Sequence, residues 1–168
     1  MPFKAVFETG LTDTWTALQA GDVGDKAGDL RWERDSEGMK CYKCVLLDLS
    51  ATTPIIGMAA YYAAGTTGNG YTIHEVTMDF ASADAFENGA GIFQSIPAAD
   101  GDRCWVQIKG FATVVAACFG STVIDGGPLT AADASVDGEL ELANDPGDLT
   151  IGVCIDDGDL RMICDFPF

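Results

Sequence analysis

The sequence predicts a mainly β protein: a small β-barrel or sandwich body with an extended N-terminal arm. The chain of 168 residues carries 20 glycines, set between short runs rich in Val, Ile, Thr, Phe and Tyr, which is the composition of strands and tight turns. Runs such as CWVQIKG (104–110) and DGELELA (137–143) alternate apolar and polar residues, the period-two pattern of a half-buried strand. No window keeps a helical period for long.

Taken in order, the arm comes first. In LTDTWTALQAG (11–21), Leu11, Trp15 and Leu18 recur at helical spacing, Thr12 is placed to cap and Gly21 to stop, so one short helix is expected there. GDVGDKAGD (21–29) is a polar, glycine-rich linker. It divides the chain into an arm and linker, 1–27, and a β-rich body, 28–168. LRWER, the turn DSEG and MKCYKCVLLDL then read as a hairpin over 30–49. TTPIIGMAAYYAA (52–64) is followed by the loop GTTGNG, and YTIHEVTMDF (71–80) reads as a strand with His74 in its middle. CWVQIKG continues through FATVVAACF (111–119) as a buried strand, and GGPL (126–129) is a turn. IGVCIDDGDLRMICDFPF (151–168) is a hairpin with Asp157-Gly158 at its tip.

A chain of this size buries enough surface to fold without staples. Its most apolar stretch, around Ile55–Ala64, is broken by Gly57 and is far shorter than the roughly 20 residues that span a bilayer. The N-terminus MPFKAVFETG has one lysine and no apolar run behind it, so it does not read as a signal peptide. The expectation is a soluble protein made in the cytoplasm. With 26 acids against 9 Lys plus Arg, the formal net charge is −17. Such a surface repels phosphate backbones, so direct nucleic-acid binding is not expected.

KCYKC (40–44) raises the question of a metal or redox site. The 6 cysteines are too sparse for a disulfide scaffold, and several sit in apolar runs: CVLL, VAACF, GVCI, MIC. On a strand, Cys41 and Cys44 point to opposite faces. A zinc knuckle needs a turn between its cysteines and a second pair; a thioredoxin-type site needs a helix N-terminus. In the C-terminal hairpin, a loop of even length pairs Cys154 with Arg161 and sets Cys154 and Cys164 on opposite faces; an odd loop alters this. All six thiols are therefore expected to be free, most of them buried as small hydrophobes. No metal, cofactor or catalytic residue is assigned. His74 is the one histidine, and HEVTM lacks the second histidine of a zincin. DASVDGELELAN (133–144) nearly matches a calcium loop through Asp133, Ser135, Asp137 and Glu139, but ends in Asn144 where the bidentate glutamate belongs. An acidic turn is the plainer reading.

Three stretches carry a family likeness. GDLRWERDSEGMKCYKCVLLD resembles the opening hairpin of tailed-phage capsid decoration (cement) proteins. CWVQIKGFATVVAACFGSTVIDGGPLTAADASVDG is similar to their W-V-Q-x-x-G strand with its later V-x-x-G-x-P-L turn and D-G. IGVCIDDGDLRMICDFPF is similar to their closing hairpin. The likeness spans roughly residues 28–168, loosely, on structural motifs. It implies a β body, a homotrimer, no enzymatic activity, a major capsid protein as partner, and a place on the outer surface of the virion. Phe3, Phe7, Leu11, Trp15 and Leu18 stud the arm with apolar side chains that an isolated arm cannot bury, so they are the expected capsid contacts, the alternative being an arm packed on its own body or a sister subunit. Two alternatives stay open: another virion β module, such as a tail or spike component, or a sugar-binding or enzymatic barrel with a pocket built from residues such as Trp32, Tyr61, Tyr62 and Trp105.

Overall fold

The computed structural model describes residues 25–49, 52–64, 74–80, 89–96, 99–131 and 136–167. Phe3, Phe7, Leu11, Trp15, Leu18 and the expected arm helix lie outside the described residues.

The strands are β1 (Leu30–Asp35), β2 (Gly38–Leu47), β3 (Ala59–Tyr62), β4 (Glu75–Thr77), β5 (Gly89–Phe93), β6 (Arg103–Thr113), β7 (Pro128–Thr130), β8 (Glu141–Leu142), β9 (Gly152–Asp156) and β10 (Arg161–Asp165). They form one 10-stranded sheet in the order β1-β2-β4-β3-β5-β6-β10-β9-β7-β8, and β2 also pairs with β6. That extra pairing closes β2, β4, β3, β5 and β6 into a ring, so the mainly β expectation holds in barrel-like form.

Closure depends on the two long strands. β2 has 10 residues and β6 has 11, long enough to serve two neighbours along one edge. β2 gives its first part to β1 and Leu46–Leu47 to β4 in parallel. β6 pairs with β2 on one edge; on the other it gives Val106–Gln107 to β5 and Lys109–Thr113 to β10. The main core lies inside the ring and against the β9–β10 extension, built from Val45, Leu47, Tyr61, Phe93, Val106, Ile108, Leu129, Met162 and Phe166 among others. Full burial of one such side chain contributes about 1.5–3 kcal/mol.

The β1–β2 hairpin turns at Ser36–Glu37, with Asp35 opposite Gly38, as the sequence predicts. Other elements differ. Asp157-Gly158 is not a two-residue tip. Asp156 faces Arg161 across a longer loop, and Ile155 then bulges, so Met162 faces Cys154 and Cys164 faces Gly152. The bulge shifts the register by one residue, which flips a strand's faces. Cys154 and Cys164 therefore share the buried face. FATVVAACF leaves the sheet after Thr113 because Val114 and Val115 donate their N–H groups to Leu160 and Gly57; a 3-10 turn follows at Ala116–Cys118. GGPL, expected as a turn, delivers Pro128 and Leu129 into β7. His74 precedes β4 in the left-handed region, φ 59, because its carbonyl must turn back to accept from Leu46 N–H.

Candidate functional site

The described residues begin at Asp25, and the segment that leads into β1 is tightly held. Gly28 N–H donates to the Cys44 carbonyl at 2.8 Å, and Cys44 N–H donates to the Asp29 carbonyl at 2.9 Å. Asp29 carboxylate accepts from Lys26 N–H at 2.6 Å. Gly28 has φ +94, and a Cβ there would sit 2.5 Å from His74 Nε2. Only glycine combines that dihedral with an imidazole directly above it. The segment that leads into β1 is thus pinned between β2 and His74.

Beneath this junction lies a second, smaller apolar cluster of Tyr42, Cys44 and Trp105. It occupies the face of β2 and β6 opposite the main core, since Cys44 pairs with Trp105. Trp105 N–H donates to Ser95 Oγ at 3.4 Å, and the Arg31 guanidinium stands 6.0 Å from the Trp105 ring centre. Arg103 shares this face by strand parity, two residues before Trp105. Arg103 Nε and Nη1 and His74 Nδ1 are buried without a hydrogen-bond partner among the described residues. Arg31 and Arg103 therefore set two guanidinium groups on this face, in a chain whose net charge is −17, and guanidinium chemistry suits a carboxylate or another anion.

The opposite face of β2 turns Lys43 inward. Its side chain is 2% exposed, and Nζ donates to Tyr62 Oη at 2.9 Å. Nζ also lies 5.3 Å from the Tyr62 ring centre, a cation–π distance. Burial holds the Lys43 pKa below the usual lysine value. Burial, and then the Lys43 charge, push His74 below its ordinary value. Sequence parity carries a signal for Lys43, which shares a strand face with Cys41, Val45 and Leu47.

All six cysteines are free and buried. Cys41 packs in the main core and Cys44 in the small cluster, on opposite faces as expected. Burial raises the Cys104 and Cys118 thiols to about 12 and pushes Cys41, Cys44, Cys154 and Cys164 up as well. Such thiols stay protonated at neutral pH and are poor nucleophiles.

The near-calcium loop has a different use. Asp133 and Ser135 lie outside the described residues. Asp137 accepts from Phe80 N–H at 3.1 Å and from the Thr52 hydroxyl, and Tyr61 hydroxyl donates to the Glu139 carbonyl, so this turn clasps the loops at one end of the ring. The described group that could hold a metal ion is Asp125, Asp156 and Asp157. Asp125 already accepts from Asp157 N–H at 2.7 Å, and Asp156 from Asp159 N–H at 2.8 Å.

The four aromatics of the alternative pocket do not converge. Tyr61, Tyr62 and Trp105 are fully buried, whereas Trp32 is 49% exposed on β1. The apolar stretch at 55–64 is likewise absorbed by the core from Met58 to Ala63, leaving Ile55 and Ile56 exposed. No helix among the described residues is long and apolar enough to cross a membrane. Compared with protein-family models, curated proteins and solved structures, the chain matches none of them.

Proposed function

We propose that the chain is a non-catalytic virion protein that binds the outer surface of an assembled capsid and stabilises it, as decoration proteins do. The observation that carries this reading is where the three family-like stretches fall. Their described parts fold as the β1–β2 hairpin, as β6 running on through the 3-10 turn to β7, and as the β9–β10 hairpin, and through the β2–β6, β6–β10 and β7–β9 pairings these strands are contiguous, β1-β2-β6-β10-β9-β7.

Charge supports the same reading. A surface of −17 suits the outside of a shell, away from packaged nucleic acid. The chain is pinned to the body at Gly28, and the sequence before it carries apolar residues among polar ones. In this reading Phe3, Phe7, Leu11, Trp15 and Leu18 contact the major capsid protein. Fixing an arm costs about 1–2 kcal/mol per residue in backbone entropy, so side-chain burial alone does not order it. Main-chain pairing with a capsid strand, or many copies acting together, supplies the remainder.

The test is fractionation of particles made by the virus that encodes the chain. Heads carry it and tails do not if the reading is right; recovery with tails assigns it to a tail or spike instead. Deleting residues 1–20 leaves the β body folded by circular dichroism and weakens head binding by orders of magnitude. Undiminished occupancy would move the contact to the body.

A further inference from the structure

β1 ends the sheet, and among the described residues its one neighbour is β2. The hairpin fixes which backbone groups face the open edge. Its two-residue loop makes Asp35 and Gly38 a hydrogen-bonded pair. Glu33 and Arg31 then also turn their N–H and C=O groups toward β2. Asp29, in the same series, accepts from Cys44 N–H as this parity requires. Leu30, Trp32 and Arg34 are left with their backbone groups pointing outward. Leu30 and Trp32 are exposed as well, at 40% and 49%. An open edge with exposed apolar side chains is a template for another strand.

We propose that this edge pairs with the β1 edge of a second copy of the chain, antiparallel, about a two-fold axis through Trp32. Outward-facing residues must meet outward-facing residues, so Leu30, Trp32 and Arg34 of one copy face their counterparts in the other. Three registers give at least two such pairs. With Leu30 opposite Trp32 of the second copy, Arg31 meets Arg31. With Trp32 opposite Arg34, Glu33 meets Glu33. With Trp32 opposite Trp32, Arg31 meets Glu33 twice and Leu30 meets Arg34 twice. This last register has the longest overlap of outward pairs, complementary charges on one face and a cross-strand aromatic pair on the other. Asp29 and Asp35, the like charges it brings together, fall at the ends of the overlap; Asp35 is paired with Lys40 at 2.8 Å within its own chain. Arg31 and Glu33 already pair within one chain, so the contact shares existing charges and buries no unpaired one. A two-fold contact of this kind does not by itself close a ring of three copies.

The register dictates a test on the full-length chain that needs no shell. Arg31→Glu sets a new carboxylate against Glu33 of its twin, and Glu33→Arg sets a new guanidinium against Arg31 of its twin. Each variant alone loses self-association, with a dissociation constant raised at least about tenfold by native mass spectrometry or sedimentation velocity. Both lose the intrachain pair, yet mixing them matches opposite charges at both positions, so the mixture forms heterodimers with wild-type affinity or better. Trp32→Glu, on an exposed position, abolishes pairing and provides a variant that leaves the Arg31–Trp105 contact intact. The proposal is overturned if the wild-type chain stays monomeric at about 1 mM, if the mixture is no more associated than its parts, or if a wild-type oligomer survives Trp32→Glu unchanged. Dimerisation appearing only after deletion of residues 1–24 overturns it too, since the arm would then be the native occupant of the edge.

Discussion

Lys43 on β2 and Tyr62 on β3 meet across the interior of the ring, Nζ to Oη at 2.9 Å. Their strands are not neighbours, since β4 lies between them, so the bond ties the ring at a point where no backbone ladder does. A hydrogen bond to a buried charge contributes about 1.5–3 kcal/mol, and an orphaned charge costs at least as much. Tyr62→Phe is therefore expected to lower stability by about 1–3 kcal/mol in urea unfolding, with the fold retained by circular dichroism.

The contact of Gly28 with His74 yields a second expectation. Gly28→Ala puts a Cβ 2.5 Å from His74 Nε2 at φ +94, and the dihedral alone costs about 1–3 kcal/mol for a non-glycine residue. His74→Ala removes the clash but not the dihedral strain. A double-mutant cycle should thus show positive coupling, the pair being less damaging than the sum of its parts.

Stability should also fall as the solution is acidified from neutrality, in part through His74. Burial and Lys43 hold its folded pKa below the ordinary value of 6.5. The unfolded chain then binds a proton more readily than the folded one, so folding loses stability as pH drops below about 6.5 until the folded-state pKa is passed. His74→Asn, which suits φ 59, should flatten unfolding free energy between about pH 5.5 and 7, the window in which an ordinary histidine titrates. An unchanged slope would remove His74 from the account.

The thiols give a further check. With all 6 cysteines free and buried, a thiol reagent at neutral pH should label the native protein slowly and modify all of them after denaturation without reductant. A lower final count would reveal a disulfide.

Local features were legible in the sequence and long-range ones were not. The β1–β2 hairpin, β6 and the divergence of Cys41 and Cys44 follow from alternation along a strand. The ring does not, because it closes through a parallel pairing of Leu46–Leu47 with Glu75–Val76, which no local pattern encodes. β5 carries no strand signal, since GAGIF is written by its neighbours: a Cβ on Gly89 would sit 2.7 Å from Phe166, and one on Gly91 2.8 Å from Val106. The C-terminal register failed because the loop runs over 157–160 rather than centring on Asp157-Gly158, and the faces failed on one bulged residue, Ile155. Of the site, Lys43 was readable by parity, whereas the contact of His74 with Gly28 spans a separation in sequence that no local pattern encodes. The arm residues rest on the sequence alone.

We propose that this chain coats an assembled shell, and the decisive measurement adds purified full-length protein to emptied, undecorated heads of the virus that, in this proposal, encodes it, and counts bound copies after sedimentation. Saturable binding at a fixed number of copies per head is the expected result, with coated heads resisting heat better than bare ones. Protein that stays in the supernatant at every concentration and ionic strength, while the heads remain intact, would contradict it.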